Sequence, residues 1–521
     1  MTKQTFIKGA MILLAAGIIN RLLGFVPRIA LPRIIGAEGV GLYQLSYPFL
    51  TVMLTVITGG IPLAVAKWIA EAESMGDTSR VKQIFQRAMG LTIVLAIIMT
   101  AALLLFAPWI TTHVLPDARV YRTFLSMSPL LLIIGVSSVY RGYFQGKQNM
   151  IPTAVSQITE TVIRIVCMLT FASLLLPKGL EWAAAGAMLG VVVGEIGGLA
   201  VMYWKYAKER HKRSDSITEA VHEPAAPGQR IPVLRRLLGL SIPVTASRMV
   251  GSLSYLLESI FTARSLALAG IATGAATAQY GALQGMIIPL VLLPTALTFS
   301  LAASLVPSLS EAAARGDKAT IHKRMHQSMR LALVAGAPFV VVMGLFAEPI
   351  CRILYNHAEI APMLQLMAPI GLFIYLQAPL QAALQALDKP GTALMNTFIG
   401  AVVKLSLIIQ LASQPEFGIY GALIAINVNI VLVTILHGIS VLRFIGFRMN
   451  FLDFIKVGAA MVIMGAAAQW IMNQKPLSLE WINLILACMI SAIVYLILMV
   501  CMRIIDRYDI ARIPLFGQWF K

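Results

Sequence analysis

Three arginines share one apolar stretch near the start of the chain, NRLLGFVPRIALPRIIGAEGVGLYQL: Arg21, Arg28 and Arg33, with Pro27 and Pro32 interrupting the helix between them. An arginine at the centre of a membrane helix costs at least about 2.5–3.5 kcal/mol on insertion scales, so three in one span require water, an acid or an anionic substrate beside them rather than lipid. Arg21 and Arg28 are seven residues apart and share a helix face, and Gly24 between them allows a close approach. A second reading covers Arg33, and with it Arg28: near the outer end of the span either side chain can snorkel to headgroups. A later stretch, SRMVGSLSYLLESIFTARSLAL, repeats the arrangement, since Ser247-Arg248-Met249-Val250-Gly251 parallels Asn20-Arg21-Leu22-Leu23-Gly24. It adds Glu258 and Arg264. A carboxyl buried in a membrane binds a proton or cation or needs a charged partner, which makes Glu258 the candidate for coupling to H+ or Na+; the alternative is a fixed ion pair with an arginine. Guanidinium groups hold phosphate through paired, charge-assisted hydrogen bonds, so the chemistry on offer is recognition of an anion.

Other polar groups within apolar stretches weigh less. Glu160 and Arg164 in ITETVIRIV are spaced i,i+4 and can pair with each other, which favours a structural role. Lys404 occupies the corresponding place later in the chain, with Gly400 in place of the acid. Glu195 in GVVVGEIGGLA, amid glycines, suggests close helix packing around one satisfied carboxyl. Phosphate loops, paired catalytic carboxylates and His/Cys metal spacings are missing from the sequence, so an enzyme is not expected. The cysteines, Cys167, Cys351, Cys488 and Cys501, fall at unrelated spacings and form neither a disulfide framework nor a metal site.

The elements that position these residues are membrane helices. With 58% apolar residues, 12% charged residues and a mean hydropathy of +0.81, the chain is far from the balance of a soluble globule. Fourteen stretches are long enough to cross a bilayer of about 30 Å: roughly 8–35, 41–70, 83–113, 121–142, 151–176, 182–204, 234–268, 277–308, 328–354, 363–386, 392–413, 418–442, 451–473 and 480–503. Lipid offers backbone groups no partner, so an all-α polytopic fold is expected. Half of it is written twice. Residues 70–91 match 310–331, with Glu71 on Glu311 and Gly76-Asp77 on Gly316-Asp317, an offset of 311 − 71 = 240. Gln145 then meets Gln385 and Arg164 meets Lys404. The expected organisation is a lobe at 1–208, a polar cytoplasmic linker at 209–233, a second lobe at 234–446, and two further helices with a tail at 447–521. Six spans per copy give both lobes one orientation, related by a pseudo-twofold axis along the membrane normal, an architecture of transporters.

The net charge of +18 does not point to nucleic acid, because the basic residues collect in alternate loops: Arg80, Lys82 and Arg87; Arg141 and Lys147; Lys205 to Arg213; Arg315 to Arg324; Arg443 and Arg448; Arg503 to Arg512. This positive-inside pattern places both termini in the cytoplasm of a multi-pass cell-membrane protein. The first apolar stretch imitates a secretory signal but runs on through Arg21 without a convincing cleavage site, and reads as an uncleaved span.

The blocks KQTFIKGAMILLAAGIINRLLGFVPRI, SSVYRGYFQGKQNMIPTAVSQITETVIRI, EWAAAGAMLG, ATAQYGALQGM, LVPSLSEA and APLQAALQALDKPGTALMN, in order over almost the whole chain, resemble the stage V sporulation protein B family of polysaccharide-biosynthesis exporters. That family lies within the multidrug/oligosaccharidyl-lipid/polysaccharide (MOP) superfamily, alongside the lipid II flippases. The resemblance implies two six-helix lobes around a central cavity, two extra helices, and translocation of an undecaprenyl-linked sugar precursor. In the flippase pattern, an arginine before Leu-Gly-Phe-Val matches Arg21 and Gly24-Phe25-Val26, and a further arginine before Ile-x-Gly matches Arg33. Where those flippases carry a second arginine after Phe-Val, this chain has Pro27, and the charge comes one position later at Arg28.

Substrate binding is therefore expected at Arg21, Gly24, Arg28, Arg33, Arg248 and Arg264, with no cofactor, and with H+, Na+ or the membrane potential as drive. The expected partners are a lipid-linked oligosaccharide, membrane lipids and cell-wall synthesis enzymes, with a monomeric protein and no nucleic acid. A cation-coupled multidrug exporter of the same superfamily is the alternative, against which three arginines in one helix would repel cationic drugs. A glycan polymerase would need a longer outer loop than any here.

Overall fold

The computed structural model describes residues 16–17, 19–214, 233–474 and 478–504. Both chain ends and most of the expected linker lie outside the described residues. The chain forms two compact units, Met1–Gly285 with Ser413–Ile419, and Met286–Ala412 with Tyr420–Lys521. The first contains α1 (Phe25–Thr58), α2 (Ile61–Ser74), α3 (Thr78–Trp109), α4 (Tyr121–Gly146), α5 (Ile151–Leu175), α6 (Leu180–Ser214), α7 (Val233–Leu268) and α8 (Thr273–Gly281). The second contains α9 (Ile288–Val291), α10 (Thr295–Ala314), α11 (Lys318–Leu345), α12 (Ala347–Tyr355), α13 (Ala361–Met367), α14 (Gly371–Ala386), α15 (Pro390–Leu411), α16 (Ile419–Ile445), α17 (Phe451–Gln474) and α18 (Glu480–Cys501). The described secondary structure is all helical.

Twelve described segments are long and apolar enough to cross a membrane, against the fourteen expected from sequence. The stretches placed at 8–35 and 41–70 make one run, Ile19–Ser74. It bends at Gly36, whose φ of 68° only glycine adopts without strain, and again at Gly59-Gly60, without a connecting loop. The stretch placed at 234–268 is helical as α7, but its serines, arginines and Glu258 leave it too polar to qualify by composition.

The 240-residue repeat is visible in the backbone. Asp77 caps α3 by accepting the Arg80 N–H at 2.9 Å, and Asp317 caps α11 by accepting the Thr320 N–H at 2.9 Å. The preceding glycines, Gly76 and Gly316, both turn left-handed, with φ of 71° and 67°. Gln148 and Asp388 share a φ of 56° at the turns leading to α5 and α15.

In the first unit, Ile61, Val65, Ile69, Ile84, Phe144 and Leu237 build a buried core. Beside it Phe85 stacks on Tyr206 with centroids 5.0 Å apart. The unit boundary at 285 falls beyond the start of the second repeat because α7 and α8 pack on α1. A Cβ on Gly41 would lie 2.0 Å from the Thr277 carbonyl oxygen, and one on Gly281 2.2 Å from that of Ala37, so these backbones touch. In the second unit α17 and α18 join the core of α10, α11 and α14: Tyr495 is fully buried and donates to the Val334 carbonyl at 3.2 Å.

Candidate functional site

Arg28 and Arg33 stand exposed on α1, and Arg21 is exposed in the helical turn before it. Gly24 caps α1 and donates to the Asn20 carbonyl at 2.8 Å, so the chain continues helically from Arg21 to Arg28. A Cβ there would approach only the Asn20 and Arg21 carbonyls of its own turn, so Gly24 does not admit another element. Arg248 lies on the stripe of α7 that carries Ser241, Thr245 and Ser252. That stripe touches the end of α1: Ser252 and Thr55 hydroxyls are 2.6 Å apart, and a Cβ on Gly60 would lie 2.3 Å from the Ser241 carbonyl oxygen. Arg248 itself is exposed and makes no ion pair among the described residues.

Glu258 is buried in the same helix and accepts a hydrogen bond from Gln284 Nε2 at 2.8 Å. Around it, Tyr43, Tyr47, Tyr255 and Arg28 lie within electrostatic reach of one another. The Ser259 and Tyr280 hydroxyls are buried nearby without a hydrogen bond of good geometry. Arg28 and Glu258, far apart in sequence, thus belong to one neighbourhood of α1 and α7.

The structure engages Arg264 differently from the other arginines. Its Nε donates to the Val114 carbonyl at 3.0 Å and its Nη2 to the His113 carbonyl, tying α7 to the turn after α3. A second tie lies close in sequence. Asp117, 2% exposed, accepts from Arg119 Nη2 at 2.8 Å and from the Thr277 hydroxyl at 2.8 Å, while Arg119 reaches Glu38 at 2.7 Å. No local sequence signal marks this contact, which joins residues 160 apart.

Burial alone would push the Asp117 carboxyl up, but hydrogen bonds from Arg119 and Thr277 outweigh it and hold it below the ordinary range. A carboxylate lowered by folding contributes stability that is complete above its unfolded value, near 3.9, and is lost as pH falls through the folded value. Asp117→Asn is expected to cost about 1–3 kcal/mol at neutral pH and to flatten the acid limb of stability. Melting midpoints of both proteins against pH check this; parallel curves would refute it.

A third constellation joins α4, α5 and α6. Glu160 accepts from Arg164 Nη1 at 3.2 Å, as its spacing predicts, and also from Arg141 Nη2 at 3.0 Å. Arg141, read from sequence as a loop charge, sits within α4. Glu195 is buried beside them, but its Oε2 has no hydrogen bond and lies 3.6 Å from Arg141, so the carboxyl is not the satisfied one expected from its glycine setting. The glycines do what that setting suggested: Gly186, Gly190, Gly194 and Gly198 line the α5 contact, and a Cβ on Gly190 would lie 2.3 Å from Met168 Cα.

Residues 6–313 match the family described as polysaccharide biosynthesis protein, and residues 252–409 match MatE. The chain belongs to the polysaccharide biosynthesis protein family. It is 40% identical to stage V sporulation protein B of Bacillus subtilis (strain 168) over 99% of both chains. To the lipid II flippase MurJ of the same organism it is 26% identical, covering 90% of this chain and 89% of that one. Among solved structures, a lipid II flippase MurJ in an inward closed conformation shares the fold with a TM-score of 0.69 at 14% identity, covering 94% of this chain and 99% of the other. The chain is a multi-pass membrane protein of this family, and the relative whose name states an activity, MurJ, is a lipid II flippase.

Proposed function

We propose that the chain moves an undecaprenyl-linked saccharide from the inner to the outer leaflet by alternating access, with the peptidoglycan precursor lipid II, for spore cortex or wall synthesis, as its cargo. The observation that carries this reading is the pair of exposed guanidiniums on touching helices, Arg28 of α1 and Arg248 of α7. A lipid-linked pyrophosphate cannot cross hydrocarbon alone, because its charged head would lose its water. Guanidiniums replace that water with charge-assisted bonds while the prenyl tail stays in lipid. The relative named lipid II flippase supports the cargo. The proposal adds Arg21 and Arg33 to the two; Arg264, occupied by carbonyls, serves the reading better as a tether than as a phosphate ligand.

Net movement requires a bias between the two access states. The proposal places it in the membrane potential acting on the arginines, or in H+ or Na+ binding at Glu258, whose Gln284 contact would then differ between states. Both termini face the cytoplasm in this reading, and the protein works as a monomer beside cell-wall synthesis enzymes. The match to MatE favours a second reading, a cation-coupled multidrug exporter.

The test is a vesicle assay with the purified full chain and labelled lipid II. Label should become accessible from the opposite leaflet at a rate well above empty vesicles. Lipid II left inaccessible while a cationic dye is exported would establish the second reading instead.

A further inference from the structure

The constellation of α4, α5 and α6 contains two acids and two bases, and its hydrogen bonds do not balance. Glu160 receives both guanidiniums, from Arg164 at 3.2 Å and from Arg141 at 3.0 Å. Arg164 gives its other amino group to the Thr161 hydroxyl at 3.4 Å. Glu195 receives neither base at hydrogen-bond distance: Arg141 Nη2, already committed to Glu160, stays 3.6 Å away. Arg141 Nε is buried and unpartnered as well.

The two carboxyls instead flank one nitrogen: Arg141 Nη2 lies 3.0 Å from Glu160 Oε2 and 3.6 Å from Glu195 Oε2. Two buried carboxylates in that relation repel each other, and two acceptors cannot bond without a donor. They cannot drift apart either. Gly194 sits where a Cβ would lie 2.6 Å from Arg164 Cβ, and at Gly198 one would lie 3.0 Å from Glu160 Cβ, so the two helices hold both acids at one level. Each acid is 7% exposed, which leaves little solvent to supply the missing donor.

We propose that Glu160 and Glu195 form a proton-binding site in which one proton is shared between the two carboxyls. The proton supplies the donor that Glu195 Oε2 lacks, leaves one negative charge on the pair, and lets Arg141 and Arg164 remain on Glu160. The groups that face the pair are Arg141 from α4 and Thr161 and Arg164 from α5; the Tyr43 phenol of α1 lies within electrostatic reach of Arg164 and Arg28. Loss of the proton frees a second carboxylate to compete for Arg141, and the charge change is felt through Arg164 at the helix that carries Arg28. The site is independent of the cargo: it stands or falls whatever the chain transports.

Infrared difference spectroscopy of the full chain in lipid, titrated over pH, tests this without a transport assay. The wild type is expected to show a protonated-carboxyl band at neutral pH that vanishes as pH is raised. In a Glu258→Gln background, which removes any band from that acid, Glu195→Gln and Glu160→Gln should each abolish the band, because the remaining acid then has an arginine to itself. Glu258→Gln, which removes another buried carboxyl of the unit, should retain it. Absence of any protonated-carboxyl band from the wild type at neutral pH overturns the proposal, and this arm needs no variant to fold. Persistence of the band in both the Glu160 and Glu195 variants also overturns it. Disappearance on adding sodium at fixed pH would make this a cation site, which refutes the proton.

Discussion

Alanine at Arg248 is expected to slow flipping of the lipid-linked precursor by roughly 10- to 100-fold, with the protein still folded and inserted. A hydrogen bond to a charged partner contributes about 1.5–3 kcal/mol, and about 1.4 kcal/mol is a factor of ten. Arg248 is exposed and makes no ion pair among the described residues, so truncation removes a ligand rather than packing. Arg21→Ala should behave alike, since the two arginines stand at equivalent places of the parallel motifs Asn20–Gly24 and Ser247–Gly251. The measurement is the initial rate of label accessibility in vesicles, with circular dichroism and gel filtration to confirm folding. Near-normal rates in either variant would remove the phosphate-clamp account.

Gly190→Ala is expected to destabilise the first unit by about 3 kcal/mol, at the upper end for overpacking. The three atoms nearest a Cβ there are all backbone: Met168 Cα at 2.3 Å, Met168 N at 2.3 Å and Cys167 C at 2.7 Å. No rotamer change relieves such a clash, so α5 and α6 must separate. A loss of this size in a unit of this length lowers the melting midpoint by roughly 6–12 °C. Gly438→Ala is the control, because its Cβ would meet nothing within 4 Å and α16 is helical there, where alanine is favoured. Equal melting of the two variants would show that the glycine ladder does not set the helix spacing.

What could be read from the sequence was what adjacent residues decide. The Gly76-Asp77 and Gly316-Asp317 pairs marked the same capped turn because capping needs only one glycine and one short acid. Glu160 and Arg164 paired as their spacing on one helix requires. Glycines around Glu195 marked a close helix contact. What could not be read were the partners that tertiary packing supplies. Arg141, 19 residues before Glu160, looked like a loop charge until α4 placed it against α5. Arg264 looked like a second-lobe cavity arginine, yet the turn after α3 takes it. Gln284 drew no notice, since an amide becomes informative only once it is seen donating to Glu258. The spans expected at 8–35 and 41–70 form one run because Gly36 and Gly59-Gly60 bend the chain without ending it.

The duplicated turns have one more consequence when followed into the charges. At the offset that superposes Asp77 on Asp317, Arg141, Glu160 and Glu195 fall on Gln381, Gly400 and Ile435. The backbone has kept its twofold ancestry while the electrostatics have abandoned it. Identical halves would feel a proton at two equivalent points and would have no built-in order of events. With this pair of acids present in one copy alone, the proposed proton would address only one half of the chain, which would make a first move and a second move distinguishable.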